Sequence, residues 1–352
     1  MNVHPSNPVT PPLMSERRVS LLGALLVAIG PLSMALFTPA MTEIVRAFGT
    51  TEAAVKMTLS LYFAGFALAQ LVCGPLSDGF GRKPVAMAFM AIYLVASALA
   101  LFAPTIEFLI AARFLQGVGA AVGVAISRAV VRDLFTNERS ARIMNLIGMI
   151  LGIGPAFAPT LGGVTMELFG WHAIFALMLV FGIAIVVVIH FALVETVARD
   201  MSRVRPGAVV RSYSQLLRSG YFMSSGLALG GAIGAFYTLA VVLPFILMGR
   251  LGLSPTQFGL GMLLQSGAFF SGSLVVRRAM GIYGAYRIMP AGLAFIAAGS
   301  IALAVLLRVM EPSFINVMGP VALYAFGAAF IMPAMSTASL ALYPHIAGAA
   351  AA

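Results

Sequence analysis

Long apolar runs alternate with short polar segments over most of the 352 residues of the chain. A helix needs about 20 predominantly apolar residues to cross the hydrocarbon core of a bilayer, and each run is roughly that long. The ten runs lie at residues 20–40, 55–76, 85–103, 107–130, 144–166, 171–194, 221–248, 256–276, 288–307 and 317–342. The pattern therefore predicts an all-α polytopic membrane protein.

The composition agrees with a membrane protein. The chain is 61% hydrophobic and 9% charged, whereas a soluble protein has about 25% charged residues. A net charge of +10 could indicate binding to nucleic acid. The basic residues, however, are spread through the segments between the apolar runs and form no patch with interleaved aromatic residues. We therefore expect a lipid bilayer as the surroundings and no nucleic-acid partner.

Lysine and arginine are distributed unequally between the two sides of the predicted spans. Of the 21 such residues, 15 lie on the same side as the N-terminus, 4 lie on the other side, and Arg113 and Arg128 lie within a run. Short loops rich in Lys and Arg stay in the cytoplasm. The count predicts a cytoplasmic N-terminus.

The chain divides into four predicted parts. Residues 1–19 form a polar cytoplasmic tail, and 20–194 hold the first six runs. Residues 195–220 carry five arginines and no apolar periodicity, as expected of a cytoplasmic linker. Residues 221–352 hold the last four runs. A faint repeat links the halves, because Gly272-Ser273-Leu274 ends the eighth run as Gly74-Pro75-Leu76 ends the second.

The segment between the second and third runs combines glycines, an acid and two bases. Gly79 and Gly81 permit backbone angles that a side chain forbids, so we expect a tight turn there. Arg82 and Lys83 are expected to meet lipid headgroups. An acid at a helix C-terminus opposes the helix dipole, so Asp78 is expected to pair with a cation or with the N-terminus of another helix.

This segment resembles the signature between the second and third helices of the major facilitator superfamily. Gly79 stands where that family usually has a base. The resemblance implies two helix bundles related by a pseudo-twofold axis. It also implies a gating loop made by Gly74, Asp78, Gly81, Arg82 and Lys83.

Arg113 lies early in the fourth run. A guanidinium inside a span costs about 3 kcal/mol on insertion scales, so it should face protein or a wet cavity. Gln116 and Gly117 follow on the same helical face. Arg113 could instead snorkel to the interface; otherwise it holds or repels a proton carrier or contacts substrate. The pattern also resembles the superfamily's fourth-helix motif, whose arginine is tied to proton transfer.

The fifth run is rich in glycine and proline. Gly148 and Gly152 form a small-xxx-small packing face, and a helix bends where proline removes a backbone donor. On physics alone this is a kinked packing helix. It also resembles the superfamily's antiporter signature, with Ala158 replacing one glycine. The residues matched to that signature are Gly148, Gly152, Gly154, Pro155, Pro159, Gly162 and Gly163.

Further segments are similar to the Bcr/CflA group of bicyclomycin and chloramphenicol resistance exporters. They are Pro31–Ser33, Pro39-Ala40, Ser127–Phe135, Gly170–Phe175 and Pro344–Gly348. A substrate cavity for lipophilic compounds should be lined by apolar and aromatic groups. A position facing lipid or core is the ordinary alternative for such side chains. The lining candidates are Met34, Phe37, Tyr62, Phe63, Gln116, Phe236 and Tyr237.

Two features depart from that group. Its first helix usually carries an aspartate where this chain has Ala35, and no Asp or Glu lies in the middle of a predicted span. The proton-coupling residue is therefore open, with Arg113 and Asp78 as candidates. The family has twelve helices, so the second bundle is expected to hold four helices and the start of a fifth, without the last two.

The resemblance implies a secondary transporter in the bacterial inner membrane. It would act as a monomer and export small hydrophobic drugs, antibiotics or other xenobiotics in exchange for protons. A metabolite transporter with different coupling and an inactive truncated remnant stay open as alternatives. We expect no enzyme, because the sequence has no catalytic set, metal-ligand spacing or nucleotide-binding loop. No cofactor or metal is expected.

Overall fold

The structure, a computed structural model, describes residues 13–201 and 206–341. Among the side chains outside this description are those of 148–155 and 332–341. The described part is helical and contains no strand. Its α-helices are Glu16–Phe37 (α1), Met41–Ala47 (α2), Glu52–Phe80 (α3), Arg82–Leu101 (α4), Ile106–Ala120 (α5), Val122–Leu134 (α6), Asn137–Phe169 (α7), Trp171–Ala192 (α8), Pro206–Leu217 (α9), Gly220–Pro244 (α10), Pro255–Tyr283 (α11), Ala285–Val309 (α12) and Phe314–Ala341 (α13).

Several of these helices join into longer rods. A 3₁₀ turn at Thr38–Ala40 connects α1 to α2, and a π-helical segment at Phe245–Arg250 continues α10. In the described part of the chain, nine rods are long and apolar enough to cross a membrane. They coincide with nine of the ten predicted runs. The remaining run, 144–166, lies within α7, many of whose side chains are outside the description.

Helix starts and stops follow local chemistry. Thr51, Thr105 and Ser254 each accept a hydrogen bond from a backbone N–H in the first helical turn, which satisfies a donor that has no partner inside the helix. Gly81 and Gly284 end α3 and α11 with positive φ angles of 102° and 81°. At both places the next helix begins at the following residue, so antiparallel neighbours are joined by one glycine.

The turn expected around Gly79 is shorter than predicted. Helix α3 continues through Pro75, Asp78 and Gly79 to Phe80, so only Gly81 adopts a conformation that requires glycine. The two halves also resemble each other at their helix ends. Helices α3 and α11 are both 29 residues long and both end at a positive-φ glycine.

The helices form two groups. The first group comprises α1 to α8, and its core cluster runs from Met14 to Leu193 with Ala240 and Phe245 of the α10 rod added. The second group comprises α10 to α13, in which α13 contacts α10, α11 and α12. Helix α9 lies between the groups in sequence. The large core extends past the predicted linker at 195–220 to residues of the α10 rod. The predicted domain boundaries therefore stay predictions.

Glycines allow close helix contacts inside the first group. A Cβ atom at Gly117 would overlap the carbonyl oxygen of Tyr62, and one at Gly123 would overlap that of Leu26. Small residues at such contacts let backbones approach, which is how helices gain packing energy in lipid. These contacts fix the first group around Arg113, which lies one turn before Gly117.

Candidate functional site

A network of charged side chains surrounds Arg82 at one end of the first group, here called the Arg82 end. Arg82 is 3% exposed. Its Nε and Nη2 donate to the two carboxylate oxygens of Asp133 at 3.0 and 3.4 Å. Its Nη1 donates to Ser77 Oγ at 2.6 Å and pairs with Asp78. The guanidinium therefore joins the ends of α3, α4 and α6.

Glu195, just after α8, completes this network. Its carboxylate accepts hydrogen bonds from the backbone N–H groups of Arg82 at 2.8 Å and Lys83 at 3.1 Å. These groups are the first two of α4 and have no partner inside the helix. The Lys83 ammonium donates to the carbonyl of His190 at 2.6 Å. A Cβ at Gly81 would lie 2.6 Å from a Glu195 carboxylate oxygen, so the close approach also requires glycine.

The predicted gating-loop residues are thus brought together, with one correction. Arg82 does not face headgroups, because its guanidinium is buried in ion pairs. Asp78 pairs with a cation, as expected, and Gly74 accepts a hydrogen bond from Ser77 Oγ. Asp133 and Glu195 were missed as network members. Each is an acid beside the end of an apolar run, on the side that holds most of the bases. That position is the feature of the sequence that could have identified them as partners of Arg82 or Lys83.

The segment after α8 is attached to the same end. The backbone N–H of Asp200 donates to the carbonyl of Gly79 at 3.0 Å, and the hydroxyl of Tyr213 on α9 donates to the carbonyl of Leu71 at 2.9 Å. Burial raises the pKa of the Tyr213 phenol. The linker therefore docks on the end of α3, the same helix that carries Asp78.

Arg113 lies inside the first group, with none of its surface exposed. Its guanidinium carbon is 4.5 Å from the centre of the Phe37 ring and 4.4 Å from the centre of the Tyr62 ring. Such cation–π contacts are stronger when the cation is desolvated. Nη1 donates to Gln116 Oε1. Arg113 therefore faces protein and does not snorkel to an interface.

A polar chain holds this site in place. Gln116 Nε2 donates to Ser97 Oγ at 2.7 Å, so the amide is oriented with its oxygen toward Arg113. The Tyr62 hydroxyl donates to the carbonyl of Gly30 at 2.9 Å. Two of the three partners of Arg113, Tyr62 and Gln116, are thus fixed by bonds to other helices. The Nε and Nη2 atoms of Arg113, in contrast, have no hydrogen-bond partner in the described part of the chain although they are buried.

The second half of α7 packs between the two helix groups. A Cβ at Gly162 would overlap the carbonyl oxygen of Leu36 on α1, and one at Gly163 would overlap that of Pro255 on α11. A Cβ at Gly259 of α11 would in turn lie 2.6 Å from the carbonyl oxygen of Pro159. The side chains of Gly148, Gly152, Gly154 and Pro155, also matched to the antiporter signature, lie outside the described residues.

A carboxylate joins the groups at the opposite end of the molecule, here called the Glu167 end. Glu167, near the end of α7, accepts hydrogen bonds from the backbone N–H of Thr256 at 3.2 Å and from Ser254 Oγ at 3.3 Å. Hydrogen bonds from Thr256 hold the pKa of the Glu167 carboxyl below its usual range. This pair of bonds, here called the Glu167 clasp, places a negative charge at the N-terminus of α11, where the helix dipole favours it.

The predicted cavity residues separate into two sets. Phe63 of α3 contacts Tyr237 of α10 with ring centres 4.6 Å apart and ring planes tilted by 39°, and Phe236 contacts Tyr237 and Phe269. These aromatic rings are partly exposed and connect the two groups. The other set, which is buried in this conformation, consists of Met34, Phe37, Tyr62 and Gln116. Ala35, the position of the missing acid, is also buried.

Comparison with known sequences gives a consistent result. A sequence model of the family described as Major Facilitator Superfamily matches residues 23–352. The uncharacterised MFS-type transporter YdgK of Bacillus subtilis is 31% identical over 266 residues, 74% of this chain and 66% of the relative. Multidrug resistance protein MdtL of Escherichia coli K12 is 30% identical over 285 residues, 80% and 71% of the two chains. The matches thus span about two thirds of each relative's length.

Solved structures share the fold. The human organic anion transporter MFSD10 (TETRAN) superposes with a TM-score of 0.59 at 23% identity over 96% of this chain and 89% of that one. A bacterial homologue of the human lysosomal transporter Spinster, inward-facing and unoccupied, gives a TM-score of 0.71 at 14% identity over 95% and 80%. At these identities the likeness concerns architecture.

Proposed function

The chain belongs to the Major Facilitator Superfamily, a family of membrane transporters rather than enzymes, and from that premise we propose that it exports small hydrophobic compounds in exchange for protons. The observation that carries the direction is the position of α7. The glycine-rich half of this helix packs closely on both α1 and α11. A relative named for multidrug resistance, 30% identical over 80% of the chain, supports the substrate class.

Transport would proceed by alternating access between the two helix groups. The Glu167 clasp and the α7–α11 contact hold the groups together at the Glu167 end. The Arg82 network ties helix ends within the first group, so that group can move as a unit against the second. With the N-terminus in the cytoplasm, this arrangement is inward-facing. A substrate would then enter from the cytoplasm past the ring pair of Phe63 and Tyr237.

The test is retention of a lipophilic dye by cells that express the chain. Cells with the protein should keep several-fold less dye than cells with an empty vector, and an uncoupler should remove the difference. Gly163→Leu, which forces α7 away from α11, should also restore retention, whereas Gly231→Leu, at a glycine with open space around it, should not. Equal retention with protein and with empty vector would contradict export.

One observation favours a second function on the same scaffold. Ala35 and the absence of a mid-span acid among the described residues leave no carboxylate to carry a proton there. The chain would then transport its substrate with different coupling. Uptake into proteoliposomes with and without a pH gradient separates the two, since a proton exchanger needs the gradient and the alternative does not.

A further inference from the structure

The guanidinium of Arg113 is only partly satisfied by its neighbours. The centres of the Phe37 and Tyr62 rings lie 4.5 and 4.4 Å from its guanidinium carbon. Gln116 occupies Nη1. The edge formed by Nε and Nη2 is buried and has no partner among the described residues. Buried guanidinium donors are normally satisfied, because leaving them unpaired costs their full desolvation.

Arg82 shows what this edge binds in the same protein. Its Nε and Nη2 donate side by side to the two oxygens of the Asp133 carboxylate, at 3.0 and 3.4 Å. Two parallel N–H donors match the geometry of a carboxylate, and the pair is stronger than bonds between neutral groups. The free edge of Arg113 therefore offers a site of the same shape, inside the membrane span.

The charge balance points to a ligand from outside the chain. A buried cation needs a counter-ion, and none of the ion pairs described involves Arg113. The hydroxyl and amide groups around it, from Tyr62, Gln116, Ser97 and Tyr93, are neutral hydrogen-bonding groups. The chain supplies a cation and aromatic surfaces at this point but no described carboxylate.

We propose that Arg113 binds the carboxylate of an amphiphilic organic anion, and that this anion is the transported substrate. The inference rests on the transport function proposed above and names its substrate class. Nε and Nη2 hold the two carboxylate oxygens, and the apolar body of the ligand packs beside Phe37 and Tyr62. Access requires Phe37 or Tyr62 to move, because Arg113 has no exposed surface and its described contacts all lie within the first group.

The same site would couple binding to movement. A cavity that encloses a bare guanidinium is unfavourable, because water is removed from a charge without compensation. A bound carboxylate neutralises the site, so the loaded protein closes around its substrate more readily than the empty one. A membrane potential that is negative inside also favours outward movement of an anion. Neither neutralisation of the site nor the membrane potential requires an acidic residue at position 35, where this chain has Ala35.

The experiment measures binding of 1-pyrenebutyrate, a fluorescent amphiphilic carboxylate, to the purified full chain in detergent. Its neutral methyl ester and 1-pyrenebutylamine serve as matched ligands. The carboxylate should bind at least tenfold more tightly than either. Arg113→Gln should remove this preference, and Arg113→Lys should retain part of it. Arg128→Lys, a change in the same rod at an exposed side chain, should leave it unchanged.

A second variant distinguishes loss of the binding site from misfolding of Arg113→Gln. Gln116→Glu places a carboxylate against Arg113 from within the protein, so it should raise the thermal stability in detergent and weaken binding of the carboxylate at least tenfold. Equal binding of the three ligands by the unmodified protein would overturn the proposal. Carboxylate binding that survives both Arg113→Gln and Gln116→Glu would overturn it too.

The ligand-binding experiment and the dye-retention assay can succeed or fail independently of each other. Dye export without a carboxylate preference would leave the proposed export intact and reject the anion site. Carboxylate binding that depends on Arg113, in a chain that does not reduce dye retention, would support the anion site and reject the proposed export of lipophilic dyes.

Discussion

Gly81 shows how much of the Arg82 end depends on one residue. Its backbone lies at φ 102° and ψ 153°, a region that is essentially restricted to glycine. It also lies against the carboxylate of Glu195, which caps α4. Glycine is therefore required at position 81 both by its backbone angles and by its closeness to Glu195. Neither reason applies to Gly74, which lies inside α3 with open space around it.

We therefore expect opposite effects from alanine at these two glycines. Gly81→Ala should destabilise the protein by about 1–3 kcal/mol, because a strained backbone conformation has that cost. Gly74→Ala should be neutral or stabilising by up to about 1 kcal/mol, because alanine is the better helix former. Thermal unfolding in detergent measures both. A Gly81→Ala variant as stable as Gly74→Ala would contradict this account of the helix end.

At the scale of elements, α7 and α11 form the main junction between the groups. Glycine on both helices brings their backbones into contact, and the Glu167 clasp holds the N-terminus of α11. The clasp is electrostatic, so its strength depends on the ionisation of one carboxyl. The pKa of Glu167 is lowered by hydrogen bonds from Thr256. Its contribution is present above the ordinary pKa of about 4.3 and is lost as the pH falls through the lowered value.

Spin labels at Leu168 and Leu260, both exposed, report the separation of α7 and α11 in a Cys73→Ser background. The distance measured by double electron–electron resonance should not change between pH 8 and about pH 5, and a longer component should grow below about pH 4. Glu167→Gln should show the longer component at every pH. Glu43→Gln, at an acid that pairs with Arg46 within α2, is the control. A distance that shifts near neutral pH would implicate another group.

At the scale of the whole molecule, the Arg82 end and the Glu167 end differ in which helices their polar contacts connect. The Arg82 end is a network of charged groups within the first group, whereas the Glu167 end joins the first group to the second. The positive charges gather at the Arg82 end, so the orientation predicted from the count of Lys and Arg places that end in the cytoplasm.

Labelling of intact cells tests this orientation. In a Cys73→Ser background, a cysteine at Glu311, between α12 and α13, should react with a membrane-impermeant maleimide. A cysteine at Arg278, near the end of α11, should react only after permeabilisation. Both positions are exposed in the structure. The reverse pattern would place the N-terminus outside the cell and remove the basis for the inward-facing arrangement.

The sequence by itself determined the helical membrane fold and the family, because span length, apolar composition and the spacing of Gly74, Asp78 and Arg82 are local properties. It also indicated that Arg113 either faces protein or a wet cavity or snorkels to the interface. It did not determine partners that come from distant helices. Asp133 lies 51 residues from Arg82 in sequence, and Ser254 lies 87 from Glu167.

Only the tertiary structure decided those pairings. Arg82 could have met headgroups, but the packed ends of α3, α4 and α6 bring Asp133 within hydrogen-bond distance and bury the guanidinium. Arg113 could have reached an interface, but Phe37 from α1 and Tyr62 from α3 enclose it. The physical reason is the same in both cases. A charged side chain pairs with the groups that helix packing places beside it. That packing depends on contacts between helices far apart in the sequence, so no single segment of the sequence reveals it.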